Sequence, residues 1–108
     1  MKRISYDKEN DLLFIHKGFY ENEKFKTNID IGDLILDLST KKRIVGIEII
    51  NASEFLKEFG IGKSTMENME DAKFEAQIKP KSIMIGLKLK TKTEEISAKI
   101  AVPLHTKF

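Results

Sequence analysis

The stretch Arg43-Ile44-Val45-Gly46-Ile47-Glu48-Ile49-Ile50-Asn51-Ala52-Ser53-Glu54-Phe55-Leu56 decides the fold, because it joins a buried strand to the start of a helix. Val45, Ile47 and Ile49 alternate with residues of the other face, which predicts a β-strand with one apolar side. Asn51 follows at the position of a helix N-cap, and Glu54 stands three residues later, as in a capping box. On this interpretation Asn51→Ala costs about 1 kcal/mol of stability.

The helix after Asn51 is predicted to be short and to be followed by a second one. Gly60 ends the first helix, because glycine readily adopts the left-handed conformation of a C-cap. Ser64 and Glu67 repeat the capping-box spacing and predict a second helix that runs to about residue 71. The apolar stripe of the first helix has four members: Ala52, Phe55, Leu56 and Phe59.

Apolar alternation, together with a continuous apolar run at 12–16, predicts strands on both sides of these helices. Four precede the Arg43 strand, at residues 3–6, 12–16, 25–31 and 34–38, and a turn over 39–42 is expected to set Leu36 opposite Val45 and Leu34 opposite Ile47. Three more follow at 74–78, 83–89 and 96–104, and Pro103 is expected at an edge or a strand end. The fold class is therefore α+β, predominantly antiparallel sheet in the order β-β-β-β-β-α-α-β-β-β.

The chain of 108 residues has the length of one ordinary domain, and no linker composition divides it. We expect a single domain over 1–108, made of a unit at 3–59 and an extension at 60–108. The absence of Cys excludes disulfides and thiolate metal sites. No signal peptide or membrane-spanning run is apparent, which favours a cytoplasmic location. The abundance of Lys, Glu and Ile would suit a thermophile.

Charge is distributed unevenly along the chain. Residues 1–72 carry 11 basic and 14 acidic side chains, whereas residues 73–108 carry 8 basic and 3 acidic ones. Four lysines of the second part lie out of phase with the apolar residues and share an outer face: Lys79, Lys88, Lys90 and Lys99. They are candidates for contact with a nucleic acid or a partner. The face carries no aromatic side chain for base stacking, which favours a solvated lysine face.

The acidic first part offers a second candidate site. Asp7, Asp11, Asp37 and Glu48 could bind a divalent cation or act as an acid–base pair if the fold brought them together. Turn chemistry and a solvated sheet face explain the same residues. His16 and His105 show no metal-ligand spacing, and Gly60-Ile61-Gly62-Lys63-Ser64-Thr65 departs from a phosphate-binding loop at Lys57 and follows a helix.

The hairpin at residues 6–15 and the stretches at 36–38 and 43–53 resemble the small prokaryotic family called domain of unknown function 2283. The resemblance covers about residues 3–56, and Val45-Gly46-Ile47-Glu48-Ile49 with Asn51-Ala52-Ser53 is its most specific part. At Lys42 the family often has Gly. The resemblance implies a compact antiparallel β unit closed by a helix. It implies no activity and no functional residues, and some members are encoded beside toxin-like genes.

These patterns leave three functional hypotheses. The first is a non-enzymatic protein-interaction module that self-associates as a homodimer or larger assembly, because short antiparallel strands leave unpaired edges. The second is an antitoxin-like or nucleic-acid-binding protein that uses the lysine face. The third is a metal-binding or hydrolytic protein that uses the acidic first half. No motif in the sequence indicates a cofactor, a metal ion or a catalytic residue.

Overall fold

The computed structural model describes residues 2–104, which form eight strands, two short α-helices and one 3₁₀ turn. The strands of the first part are β1 (Arg3–Asp7), β2 (Leu12–His16), β3 (Phe25–Ile31), β4 (Leu34–Ser39) and β5 (Ile44–Ile49). The helices are α1 (Ala52–Phe55) and α2 (Lys63–Glu67), with the 3₁₀ turn Lys57–Phe59 between them. The strands of the second part are β6 (Asp71–Ile78), β7 (Ser82–Lys90) and β8 (Glu95–Pro103).

The strands form two antiparallel sheets. The first sheet has five strands in the order β1-β2-β5-β4-β3, so that the strand of the Arg43 stretch lies at its centre. The second sheet is the meander β6-β7-β8. This architecture confirms the predicted α+β class and the predicted order of elements. Within residues 2–104, no helix is long and apolar enough to cross a membrane.

One apolar cluster includes side chains from both sheets and from the helical segment between them. Leu13, Ile47 and Leu36 contribute from the first sheet, and Phe74 and Ile85 contribute from the second. These side chains lie on alternate positions of their strands, as the sequence periodicity requires of a half-buried sheet. Leu56, Ile61 and Met66 close the cluster from the helical segment, and Met69 packs against it.

The pairing of β4 with β5 differs from the expected register. Leu36 lies opposite Ile47 and Leu34 opposite Ile49, two residues further along β5 than predicted. The turn contains three residues rather than four, because the Ser39 N–H donates to the Arg43 carbonyl at 2.9 Å. A β-bulge then skips Val45 between the pairs Asp37–Gly46 and Leu38–Ile44. As a result Ile44 joins Ile47 and Ile49 in the apolar cluster in the place expected for Val45.

The capping role predicted for Asn51 and Glu54 is wrong. Asn51 precedes α1 in a left-handed conformation, with φ of 53°, and its side chain makes no capping hydrogen bond. The cap comes from Asp11, at the turn between β1 and β2. Its carboxylate accepts hydrogen bonds from the Ser53 N–H at 3.1 Å and from the Ser53 hydroxyl at 2.6 Å. A residue distant in sequence thus satisfies the first turn of the helix.

The second predicted capping box, Ser64 with Glu67, is also wrong. Helix α2 begins one residue earlier than expected, so that Gly62 is its N-cap and Ser64 lies inside the first turn. Glu67 is the last residue of the helix instead of a partner at its start, and the next strand already begins at Asp71. The prediction for Gly60 is confirmed in kind, because this residue adopts φ of 76° and caps the 3₁₀ turn.

Candidate functional site

A cavity lies between the two sheets at one end of the molecule. It has a volume of about 860 Å³. One wall is the loop after β2, at Lys17–Tyr20, and a second is the turn into β5, at Lys42–Ile44. The third wall is the stretch Glu75–Ile78 of β6. We call this cavity the Arg43 groove.

A buried ion pair holds Arg43, which lines the Arg43 groove, in place. Arg43 Nε and Nη2 donate to the two carboxylate oxygens of Glu23 at 2.9 and 2.7 Å, in a bidentate arrangement. The Ser39 hydroxyl donates to the same carboxylate at 2.5 Å, and the Tyr20 N–H donates at 2.7 Å. The Glu23 side chain has no exposed surface, whereas Arg43 keeps 26% of its side-chain surface exposed.

The electrostatics of this pair follow from its geometry. The Arg43 guanidinium, followed by the Ser39 and Tyr20 donors, outweighs the cost of burial and holds the pKa of Glu23 at about 2. The Glu23 carboxylate in turn raises the pKa of Arg43 above its ordinary value. Both groups therefore keep their charges at neutral pH, and the pair acts as a permanent clamp between the β2–β3 loop and the turn into β5.

Aromatic and aliphatic side chains surround the exposed side of the clamp. The Arg43 guanidinium stacks on the Tyr20 ring, with 3.7 Å from Cζ to the ring centre. Tyr20 is 62% exposed, and Phe19 and Ile78, which also line the groove, are 42% and 50% exposed. At the inner end, Lys17 Nζ lies 4.7 Å from the centre of the Phe74 ring and 3.1 Å from the Glu75 carboxylate.

The four lysines singled out in the sequence do not form one continuous basic patch. Lys88, Lys90 and Lys99 lie exposed on the outer face of the second sheet, and Lys79 lies in the turn after β6. Carboxylates are interspersed among them: Lys88 pairs with Glu95 at 3.6 Å, and Asp71 stands opposite Lys90. At the centre of this face, Gly86 leaves a shallow depression of about 300 Å³.

The acidic residues of the first half are dispersed into separate roles. Asp7 accepts hydrogen bonds from Asn10 and Glu9 within its own turn, which lowers its pKa. Asp11 caps α1, while Asp37 and Glu48 lie on the outer face of the first sheet, on different cross-strand rows. Within residues 2–104, no group of three or more His, Asp or Glu side chains is arranged to hold a metal ion.

Asp11 belongs to a small polar network. The Tyr6 hydroxyl donates to its carboxylate at 2.6 Å, beside the two hydrogen bonds from Ser53. Burial and the neighbouring carboxylate raise the pKa of Tyr6. The pKa of Asp11 is lowered, since these hydrogen bonds outweigh the opposing effect of its burial. The network joins β1, the first turn and α1, and each of its members has a structural partner.

His16 has a packing role on the outer face of the first sheet. Its Nδ1 accepts a hydrogen bond from the Gly18 N–H at 2.9 Å, and its ring lies edge-on to Phe19. Burial lowers its pKa, against the opposing effect of Asp37. Gly46 lies beneath the side chains of His16 and Asp37, and a Cβ at this position would come within 2.6 Å of the Asp37 carboxylate. The second histidine, His105, falls outside the described residues.

Comparison with known proteins identifies the family. The family described as "Protein of unknown function (DUF2283)" matches residues 3–53. An uncharacterised protein of Methanocaldococcus jannaschii is 38% identical over 89 residues, which cover 82% of this chain and 70% of the relative. The chain belongs to the DUF2283 family.

A second relative carries a functional name. A protein of Methanosarcina mazei with the printed name "Putative hypoxanthine phosphoribosyltransferase" is 33% identical over 87 residues, which cover 81% of this chain and 66% of that protein. No solved structure matches this chain. Both alignments are longer than the family match, so the similarity to these relatives extends beyond residues 3–53 into the remainder of the chain.

The Arg43 groove lies where the DUF2283 unit meets the rest of the chain. Arg43, Glu23 and Tyr20 fall inside the family match, whereas Glu75–Ile78 fall outside it. This site could not be recognised from the sequence, because its ion pair joins residues 20 positions apart in a loop and a turn. One signal was available in the sequence. Arg43 is one of only two arginines in a chain that otherwise uses lysine.

Proposed function

We propose that this protein is a non-enzymatic protein-interaction module that self-associates through the outer edge of β8. The observation that carries the proposal is the form of that edge. β8 has nine residues and pairs with β7 over its whole length without a register shift. Among residues 2–104, no strand pairs with its other side. A long regular edge of this kind is a template for pairing with a further strand.

The backbone groups that point outward from β8 can be identified from the hairpin geometry. The Thr91 N–H donates to the Glu94 carbonyl at 2.9 Å, and bonded pairs then recur at every second position of an antiparallel ladder. The even-numbered residues of β8 therefore bond to β7. The odd-numbered residues Glu95, Ser97 and Lys99 direct their N–H and C=O groups outward, and their side chains lie on the exposed face.

These three residues make the β8 edge complementary to itself. When two copies of β8 pair antiparallel about a twofold axis at Ser97, Glu95 of each copy stands opposite Lys99 of the other. An axis two residues further along the strand, at Lys99, would set Lys99 opposite Lys99, and an axis two residues earlier, at Glu95, would set Glu95 opposite Glu95. Opposite charges on directly facing residues stabilise a strand pair, whereas like charges destabilise it. A twofold axis is also the commonest symmetry of homodimers.

The two edges of the first sheet are less suitable. β1 has only five residues, and β3 contains a register shift between Phe25 and Thr27.

The name of the Methanosarcina mazei relative does not alter the proposal. The candidate acid–base residues of this chain are dispersed: Asp7, Asp11, Asp37 and Glu48. Asp7 and Asp11 are hydrogen-bonded within turn and cap structures.

Sedimentation velocity over a range of protein concentrations tests the proposal. We expect Lys99→Glu and Glu95→Lys each to weaken the dimer about tenfold, because both create like-charge pairs, and we expect the double variant to restore it. Lys73→Glu, which reverses a lysine on the outer face of β6, is the matched control and should leave the dimer intact. A strict monomer at high concentration, or a dimer that is insensitive to both single reversals, would contradict the proposal.

A further inference from the structure

We infer that the Arg43 groove binds an acidic peptide segment in an extended conformation, which adds as a strand to the free edge of β6. β6 is the other edge of the second sheet, and among the described residues it pairs only with β7. The Arg43 groove runs beside that edge over Glu75–Ile78. Addition of a strand to an exposed sheet edge is a recurrent mode of peptide recognition. This inference does not depend on self-association through β8.

The backbone of β6 has the correct orientation for such pairing. The Lys79 N–H donates to the Ser82 carbonyl at 2.8 Å, which makes Lys79–Ser82 a bonded pair. Because bonded pairs alternate, the odd-numbered residues of β6 bond to β7. The N–H and C=O groups of Ala76 and Ile78 therefore point away from β7, toward the side on which the groove lies.

The charges on the groove walls select an acidic segment. Lys17, Lys42 and Arg43 line the groove, and Glu75, which is paired with Lys17, is the one carboxylate among the lining residues. Arg43 is held rigidly by Glu23 through Nε and Nη2, whereas Nη1 makes no hydrogen bond within residues 2–104. The orientation of the guanidinium is therefore fixed before a ligand arrives, and one nitrogen remains available to a carboxylate.

The apolar rim indicates that the ligand also carries apolar side chains. Three of the five large hydrophobic residues that are exposed in the described part of the chain line this groove: Phe19, Tyr20 and Ile78. An exposed apolar group of this kind commonly marks an interaction site. An extended peptide with alternating acidic and apolar residues presents carboxylates on one side and apolar side chains on the other. Such a peptide would satisfy both Arg43 and the rim.

The dimensions agree with a strand and not with a helix. The four residues Glu75–Ile78 present a backbone edge of about 10 Å, which accommodates three or four residues of an added strand. A helix has no free backbone groups along its length to pair with this edge, and its diameter of about 10–12 Å includes its own side chains. Backbone pairing would supply affinity, and the Arg43 and Tyr20 contacts would supply selectivity.

Fluorescence anisotropy with a labelled peptide tests the inference. The probe is acetyl-Glu-Val-Glu-Val-Glu-Val-Glu-amide, and its controls are the same peptide with Lys in place of Glu and the same peptide with alternate residues N-methylated. We expect saturable binding of the probe and none of the peptide that carries Lys in place of Glu. N-methylation should weaken binding about tenfold or more, because it removes several backbone hydrogen bonds while the charge stays constant.

Protein variants locate the site. Lys42→Glu and Tyr20→Ala should each weaken binding of the probe about tenfold, because one reverses a wall charge and the other removes the apolar rim. Lys92→Glu, in the turn between β7 and β8, is the matched control and should bind as the wild type does. Lys99→Glu separates the two proposals, since it should disrupt the dimer and leave peptide binding unchanged.

Three results would overturn the inference. They are the absence of saturable binding at millimolar peptide, equal binding of the N-methylated peptide, and equal binding by Lys42→Glu and Tyr20→Ala. Circular dichroism of each variant establishes that it is folded before binding is compared. All of these substitutions lie at exposed or half-exposed positions, so the fold is expected to survive them.

Discussion

The two sheets of this protein are held in shape in different ways. In the first sheet, side-chain hydrogen bonds and an ion pair fix irregular backbone, and its β3–β4 and β4–β5 pairings each contain a register shift. In the second sheet, β6, β7 and β8 pair without any shift, and alternating apolar residues suffice to define the register. The first sheet therefore depends on specific polar residues, whereas the second depends on a pattern that many sequences could satisfy.

The backbone conformations follow the same division. All four non-glycine residues with positive φ in the described part of the chain lie in its first half: Asp11, Asn22, Lys42 and Asn51. Such conformations are unfavourable for residues with a side chain and persist only where the surrounding structure enforces them. The family match at residues 3–53 covers this half. The irregular half thus contains the parts of the fold that single substitutions can damage most.

The largest expected effect is the loss of the clamp at the Arg43 groove. We expect Arg43→Met to lower the free energy of unfolding by about 3 kcal/mol, because it leaves a buried carboxylate without its partner. The matched substitution in the second sheet is Lys88→Met, whose partner Glu95 is 52% exposed and lies 3.6 Å away. We expect that change to cost about 0.5 kcal/mol or less. Urea unfolding measures both.

Equal effects of Arg43→Met and Lys88→Met would contradict the contrast between the sheets. Arg43→Lys adds a further test, because lysine keeps the charge and loses the bidentate geometry. The free energy of unfolding of Arg43→Lys should lie between those of the wild type and Arg43→Met if the bidentate hydrogen bonds to Glu23 contribute to stability. A value indistinguishable from the wild type would show that charge alone stabilises this region.

Acid should lower the stability of the first sheet, because it protonates Glu23 and so breaks the ion pair with Arg43. The folded-state pKa of Glu23 is about 2, below the ordinary value of 4.5, so the unfolded chain binds more protons between these values. The stability that the ionised Glu23 carboxylate contributes is complete above pH 4.5 and is lost as the pH falls toward about 2. We expect Glu23→Gln to be less stable at neutral pH and to lose less stability on acidification.

The comparison residue for acid unfolding is Asp71, at the start of the second sheet. Its carboxylate accepts a hydrogen bond from Lys2 at 2.7 Å, which lowers its pKa, but this pair is about 40% exposed on both sides. Asp71→Asn should therefore reduce the acid sensitivity less than Glu23→Gln does. Urea unfolding at a series of pH values measures both. A larger effect of Asp71→Asn would show that the clamp does not dominate the acid response.

Loss of the α1 cap at Asp11 should have the next largest effect on the free energy of unfolding. We expect Asp11→Ala to cost about 2 kcal/mol, because the carboxylate that accepts hydrogen bonds from Ser53 and Tyr6 is lost. Asn51→Gly separates this arrangement from the capping box that the sequence suggests. Glycine at a left-handed position should be neutral or slightly stabilising, whereas loss of a side-chain cap would destabilise. Thermal unfolding of the two variants decides between them.

The regular elements were predictable from the sequence to within a few residues. The apolar pattern located all eight strands, by alternation in most of them and by a continuous apolar run at 12–16. The register of β4 with β5 was not predictable. A three-residue turn with a bulge at Val45 and a four-residue turn without one place the same residues inward at Leu34 and Leu36. Local pattern contains no information on which of the two occurs.

The candidate site was less accessible to sequence reasoning than the fold. Glu23 lies in a polar loop and resembles any exposed glutamate, and only the folded chain reveals that Arg43, Ser39 and the Tyr20 backbone converge on it. The same holds for Asp11, whose partner Ser53 is 42 residues away. In contrast, the exposed positions of Lys88, Lys90 and Lys99 followed directly from strand alternation.

The smallest expected effect is a gain of stability in the turn into β5. Lys42 has φ of 62°, a left-handed conformation that glycine adopts without a steric penalty. Lys42→Gly should therefore raise the free energy of unfolding by about 0.5 kcal/mol, after the greater entropy of glycine in the unfolded chain is deducted. Lys92, in the turn between β7 and β8, has no positive φ. Lys92→Gly should lower stability by about 0.5–1 kcal/mol, because only the entropic cost remains.

Opposite signs for the same substitution in the two turns would be the most direct evidence that the sheets differ in backbone strain. Urea unfolding can resolve the difference between the two changes even where each is small, because they lie in opposite directions. If both variants are destabilised equally, Lys42 must gain from contacts that offset its conformation. In that case the irregularity of the first sheet would reside in its polar clamps alone, and Arg43→Met and Asp11→Ala would remain the measurements that distinguish the two sheets.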